Sequence, residues 1–239
     1  KALGVGVLAL VVATGLLGTD SAIDNLSPTF VWIIWWVGMG YVTALMGNLW
    51  ALVNPWKTTF EWVEGLVWSG ASGREAALFR YPERWDVWPA LLLFLAFAWM
   101  ENVYSDAAVP FKLALLVLLY SAITWAGMLA FGKHQWLRHG EAFSVLFGFF
   151  ARFSPTEVRV DDGLICGDCG ADCESAEDEC VDCYECFERA SPDRRKFNVR
   201  PFAVGLVPRR AVSAGTAVFV VLALATVTFD GLTATPLWV

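Results

Sequence analysis

The sequence predicts an all-α fold class: a polytopic transmembrane helix bundle with interfacial helices and a small Cys-rich metal-binding loop module. Three observations carry that expectation. Apolar residues lie in runs long enough to cross a bilayer. Fifteen of the seventeen basic residues fall into two connections that share one side of a five-span chain. All six cysteines lie within twenty-one residues.

Composition agrees. Apolar residues make up 57% of the 239 and charged residues 17%, where ordinary globular domains carry about 25% charged. Thirteen tryptophans suit a chain whose aromatic rings gather where bilayer meets water. The formal net charge is −7, and only five of the basic residues are Lys, a balance that fits a halophile. A phosphate backbone needs a basic face, so nucleic acid is excluded as a partner.

Five spans are expected: about Leu3 to Leu17, Phe30 to Val53, Val87 to Tyr104, Pro110 to Phe131 and Ala211 to Phe229. A run near 20 apolar residues matches the roughly 30 Å hydrocarbon core. Residues 1–18 lack the small-x-small site of a signal peptide and read as a span. The chain opens on Lys1 without Met and closes on Pro236-Leu237-Trp238-Val239 without a polar tail, so it reads as a piece of a longer protein.

Basic residues orient the bundle. The connection after the second span holds Lys57, Arg74, Arg80 and Arg84. The segment after the fourth holds Lys133, Arg138, Arg152, Arg159, Arg189, Arg194, Arg195, Lys196, Arg200, Arg209 and Arg210. The connections Thr19–Thr29 and Ser105–Val109 have no Lys or Arg. Both basic segments are therefore expected in the cytoplasm, in a multi-pass protein of the cell (plasma) membrane of a prokaryote.

Two stretches read as interfacial. Trp56, Phe60, Val63 and Val67 form one apolar stripe with Glu61 and Glu64 elsewhere on the turn, as in a helix lying along headgroups. Trp136, Phe143, Phe147 and Phe150 form another. Packing against the bundle accounts for both stripes equally well. Small residues at Gly40, Ala44 and Gly47, and at Ala211 and Gly215, mark faces where helices approach closely. The expected organisation is thus 1–131, four spans with an interfacial segment at 54–86; 132–160, an interfacial helix and linker; 161–200, a cytoplasmic Cys-rich module; and 201–239, the fifth span.

The cysteines are Cys166, Cys169, Cys173, Cys180, Cys183 and Cys186, spaced C-x2-C-x3-C-x6-C-x2-C-x2-C. A C-x2-C pair can turn two thiolates toward one ion, and two pairs complete a tetrahedral zinc site. Zinc is the first reading, with Cys166 and Cys169 joined by Cys180 and Cys183 or by Cys183 and Cys186. An iron–sulfur cluster is the alternative. Cys180-x2-Cys183-x2-Cys186 copies the first three ligands of the bacterial ferredoxin run, but Ala190 stands where the fourth belongs. Disulfides would need an oxidising compartment, against the cytoplasmic placement. Reactive-thiol chemistry finds no His within the cluster to act as a base. His134, His139 and Glu141 lack the i, i+4 spacing and the H-E-x-x-H string of a helical metal site.

Glu101 and Asp230 sit at the outer ends of the third and fifth spans, and Asp106 lies nearby in a short loop. Ionisable groups truly buried at membrane depth are functional by default, but water-facing carboxylates are ordinary at span ends. Asn48 and Asn54 can bond to neighbouring helices. No G-x-S-x-G elbow and no phosphate-binding loop occurs.

Several strings together carry a resemblance: Gly47-Asn48-Leu49-Trp50 with Asn54-Pro55-Trp56; Gly140-Glu141-Ala142-Phe143 leading to Ala151-Arg152-Phe153-Ser154-Pro155; Arg200-Pro201-Phe202; and Phe229-Asp230-Gly231. The pattern resembles a family of multi-pass prokaryotic membrane proteins, some labelled fenitrothion hydrolase-like. The resemblance implies further spans and supplies no catalytic set. Three function classes follow from the sequence. One is a membrane protein with a zinc-stabilised docking or sensing module that meets another membrane or cytoplasmic protein. The second is a transporter or permease subunit with Asn48, Glu101 and Asp230 along a path. The third is a membrane enzyme, hydrolase or iron–sulfur electron-transfer subunit.

Overall fold

The structure, a computed structural model, describes residues 1–67, 77–163, 165, 174–176, 179–207, 212–233 and 235. The described elements, in chain order, are α1 (Ala2–Leu17), α2 (Leu26–Met46), α3 (Leu49–Val53), α4 (Pro55–Val67), α5 (Trp88–Asn102), α6 (Pro110–Phe131), α7 (Ala142–Ala151), β1 (Thr156–Asp161), β2 (Glu174–Ala176), β3 (Glu179–Val181), α8 (Tyr184–Arg189), β4 (Arg195–Val199) and α9 (Ala214–Thr233). The chain is mostly helical, but the all-α expectation missed a four-stranded sheet.

Among the described residues, three helices are long and apolar enough to cross a membrane: α2, α6 and α9. They leave apolar side chains such as Leu118, Leu119, Val221 and Leu224 exposed. Helix α1 has 16 residues and α5 has 15, shorter than the run expected of a span. The second apolar run is also not one helix to Val53. It stops at Met46, and Gly47, at φ +98°, turns the chain into α3.

Two compact units are present. The first comprises Lys1–Val37, Val53–Leu146 and Val212–Val239. Within it α1 packs along α6, α4 touches both, and α5 pairs with α9. The α1–α6 approach is close because Gly15 has no side chain: a Cβ there would lie 2.7 Å from the Ala114 Cβ. Val11, Val31 and Leu113 form the buried centre, flanked by Trp32 and Trp35. Phe97 meets Trp36 at 4.8 Å and Phe143 at 4.9 Å, between ring centroids.

Both expected interfacial stripes are at least partly inside. Trp56 is buried and its Nε1 donates to Ser121 Oγ at 2.8 Å. Only the far end of α4, with Trp62, Val63, Leu66 and Val67, is exposed. Trp136, Phe143 and Phe147 are buried. Packing, the alternative weighed for each stripe, holds for these residues.

The second unit comprises Gly38–Leu52 and Phe147–Ala211. Its sheet is antiparallel with strand order β2-β3-β1-β4. In β1 the register sets Val158 opposite Phe197 and Val160 opposite Cys180. Val158 and Val160 point to one face, as the two-residue period requires, and both are buried. The sheet begins at Thr156, so the stretch read as a linker to 160 is its central strand.

Candidate metal centre and its polar frame

Cys180, Cys183 and Cys186 fall on three successive local structures. Cys180 is the middle residue of β3, Cys183 stands at the N-cap of α8, and Cys186 lies in its first turn. Between the first two, Asp182 takes φ +53°, which folds the chain sharply enough to bring a strand into a helix. Cys180 and Cys186 are fully buried, and with Val160 and Ala190 they form one small core against which Ile165, Cys183 and Phe187 pack. Among the described residues no disulfide joins these thiols. Cys166, Cys169 and Cys173 lie outside the described residues. Among the described residues, no group of three or more His, Cys, Asp or Glu is arranged to hold a metal ion. The three described thiols therefore do not form a set by themselves.

A polar frame surrounds this core. The Arg200 side chain is almost wholly buried. Its Nη1 donates to Asp182 Oδ2 at 2.6 Å and approaches Glu157 Oε2 at 3.4 Å. Nε donates to the Ser154 carbonyl at 3.1 Å and Nη2 to the Ala151 carbonyl at 3.3 Å. One planar guanidinium thus ties the end of α7, strand β1 and the Cys180–Cys183 turn together. Burial pushes the Asp182 carboxyl above its ordinary range, against the pull of Arg200. Burial acts the same way on Glu157, but hydrogen bonds from Arg159 and Asn198 and the charges of Arg159 and Arg200 outweigh it and hold Glu157 below the ordinary range. Asp182 is thus engaged by a cation already in the chain.

The same frame grips the break after α2. Asn48 N–H donates to the Tyr184 hydroxyl at 2.9 Å, and Thr156 Oγ1 donates to the Met46 carbonyl at 2.8 Å. Both groups would otherwise be orphans of helix ends. Tyr184 directly follows Cys183, so the thiol-bearing turn and the helix break share a residue pair. Burial raises the Tyr184 hydroxyl above its ordinary value.

Three residues of the strings that carry the resemblance, Asn48, Asn54 and Glu141, are helix caps. Asn48 Oδ1 accepts from Ala51 N at 3.1 Å, and Asn54 Oδ1 from Lys57 N at 3.1 Å. Each asparagine satisfies an N–H of the helix it opens, and Pro55 occupies the first position after Asn54, where its missing N–H costs nothing. Glu141 does the same for α7, accepting from Phe143 N at 2.9 Å and Ser144 N at 2.7 Å. It also accepts from the Tyr120 hydroxyl, and Asn54 Nδ2 reaches Ser144 Oγ at 3.3 Å. Glu141 is therefore committed to a helix cap. His139 stacks on Tyr81 with ring centroids 5.5 Å apart. Asp106 pairs with Lys112 at the surface. Of the small-residue positions, Gly215 lies against Asp86 and Gly40 against Phe150, while Gly47 is a turn. Ala211 lies outside the described residues.

Comparison with protein-family models, curated proteins and solved structures finds no match.

The sequence pointed to the cysteines but not to their frame. Arg200 carries a signal only in its Arg-Pro-Phe string, and Tyr184 carries none. Each is tied into the frame by partners distant in the chain.

Proposed function

We propose that the chain is a polytopic protein of the cell membrane whose Cys-rich module is a cytoplasmic, zinc-stabilised docking or sensing element. The observation that carries this reading is the convergence of Cys180, Cys183 and Cys186 on one core of very few apolar side chains. So small a core folds with a staple. Zinc fits the thiol chemistry. Cys180 and Cys183 would hold it with a pair drawn from the first half of the cluster, or Cys186 would take the place of Cys180. Bound zinc supplies folding free energy outright. Ala190, buried where a ferredoxin run has its fourth cysteine, leaves the iron–sulfur alternative needing a ligand from the first half.

The bilayer reading rests on α2, α6 and α9, and α1 and α5 join them as the two shorter members of a five-span bundle. At about 1.5 Å per residue these two cover most of the hydrocarbon core, and flanking residues complete the crossing. The basic segregation puts the module in the cytoplasm, where a partner protein would read its metal state.

A transporter is the second reading, favoured by one observation. Glu101 on α5 takes a hydrogen bond from Trp36 and lies within electrostatic reach of Asp230 on α9. Asn48, by contrast, is spent as a helix cap.

Metal analysis of the purified chain tests the first reading. One zinc per chain and no visible absorption are expected. A coloured iron-loaded protein would move the assignment to electron transfer, and a metal-free folded protein would remove the module's proposed role.

A further inference from the structure

The segment 197–207 presents six large apolar side chains outward: Phe197 and Val199 on the edge strand β4, then Phe202, Val204, Leu206 and Val207. Phe202 is 58% exposed and Val207 70%. Their exposure is held in place. Arg200 N bonds to the Pro155 carbonyl at 2.7 Å, and Ala203 N to the Phe153 carbonyl at 2.8 Å. Leu206 N closes on Ala203 and Val207 N on Val204. Gly205 lies so close to the Arg152 carbonyl that a Cβ would come within 2.7 Å. The loop is pinned from beneath, and its backbone groups are largely satisfied within the unit. That is the condition for placing irregular backbone against lipid, where an unsatisfied N–H or C=O is costly.

Charge flanks the apolar tip on both sides in sequence, with Arg194, Arg195 and Lys196 before it and Arg209 and Arg210 after it. Arg194 pairs with Asp193 and Lys196 with Asp161, and Arg195 donates to the Ala190 and Glu188 carbonyls. The three cations still outnumber the two carboxylates. An apolar segment flanked in sequence by net positive charge matches an anionic leaflet, which draws in basic groups while apolar side chains enter the headgroup boundary. Chain length adds a second argument. Val207 precedes Ala214, the first residue of α9, by seven positions. Seven residues reach no farther than about 25 Å at 3.3–3.6 Å each.

We propose that the tip formed by Phe202, Val204, Leu206 and Val207, with Phe197 and Val199 beside it, is a lipid-docking surface for an anionic leaflet. This rests on the membrane reading of α9 and is independent of the metal.

The test uses the full chain in nanodiscs of mixed phosphatidylglycerol and phosphatidylcholine. A benzophenone amino acid is placed at 202, at 207, or at the exposed control position Asp193, and adducts are read by mass spectrometry after illumination. Lipid adducts at 202 and 207 several-fold above 193, enriched in phosphatidylglycerol over the bulk mixture, are expected. Adducts to a second copy of the chain, or lipid yields no higher than at 193, overturn the proposal. Adducts that mirror the bulk lipid composition overturn its anionic part. A photoprobe at Leu224 on α9 separates the two failures: lipid adducts there with none at 202 or 207 leave the span and remove only the docking surface.

Discussion

Replacing Gly47 by alanine should loosen the second unit by about 2–5 kcal/mol. Three terms make up the figure. The backbone at Gly47 has φ +98°, and a residue with a Cβ in the left-handed region loses about 1–2 kcal/mol. The new methyl would sit 2.7 Å from Thr156 Oγ1 and 2.9 Å from the Tyr184 hydroxyl. Those are the two atoms that satisfy Met46 and Asn48, and each displaced hydrogen bond costs about 0.5–1.5 kcal/mol. Hydrogen exchange on the detergent-solubilised chain should show faster exchange at Asn48 and along β1, with a lower unfolding temperature. Tyr184→Phe removes one of the two contacts and leaves the glycine. The double variant should therefore be less destabilised than the sum of the two, because the sites share an atom. An alanine variant within about 0.5 kcal/mol of the parent, the range of an ordinary surface change, would refute the strained turn.

Three further outcomes are expected. Glu141→Ala should cost about 2–4 kcal/mol, since it removes a helix cap and leaves the Tyr120 hydroxyl without its acceptor, read as a fall in unfolding temperature. Glu157 is held below its ordinary value of 4.5, so its stabilisation is complete above that value and is lost as pH falls through the lower folded value. Glu157→Gln should flatten that acid-side loss in a stability-versus-pH series, while Asp182, raised by burial, contributes with the opposite sign. An impermeant reagent applied to intact cells should not label residues around Asp161, and labelling from outside would reverse the topology.

The helices that could cross a bilayer were legible because an apolar run of bilayer length needs no partner to be recognised. The break at Gly47-Asn48 was not read: one span was expected through to Val53, with Gly47 as a packing residue. Glycine and asparagine before Leu49 spell a stop and a cap, but both neighbours are apolar enough to hide a boundary inside a run. The strand Thr156-Glu-Val-Arg-Val-Asp161 alternates as a strand should, yet six residues of alternation beside eleven basic and many acidic positions read as a linker. Its pairing with Arg195–Val199 joins residues some forty positions apart, which no local period encodes. The caps at Asn54 and Glu141 had local signals, Asn-Pro and Gly-Glu-Ala-Phe-Ser, that read as family strings before their backbone partners were seen. The Glu141–Tyr120 contact had none, because one partner lies on a helix whose sequence gives no reason to prefer that face.

The most direct measurement is limited proteolysis of the full membrane-embedded chain in reductant, with and without a zinc chelator. The account predicts that cleavage between Asp161 and Ala190 is slow with metal bound, becomes fast after chelation, and slows again when zinc is restored. Acid should act in the chelator's direction because thiolates must be deprotonated to bind. A segment that stays resistant in chelator and reductant, with no metal in the protein, would contradict it.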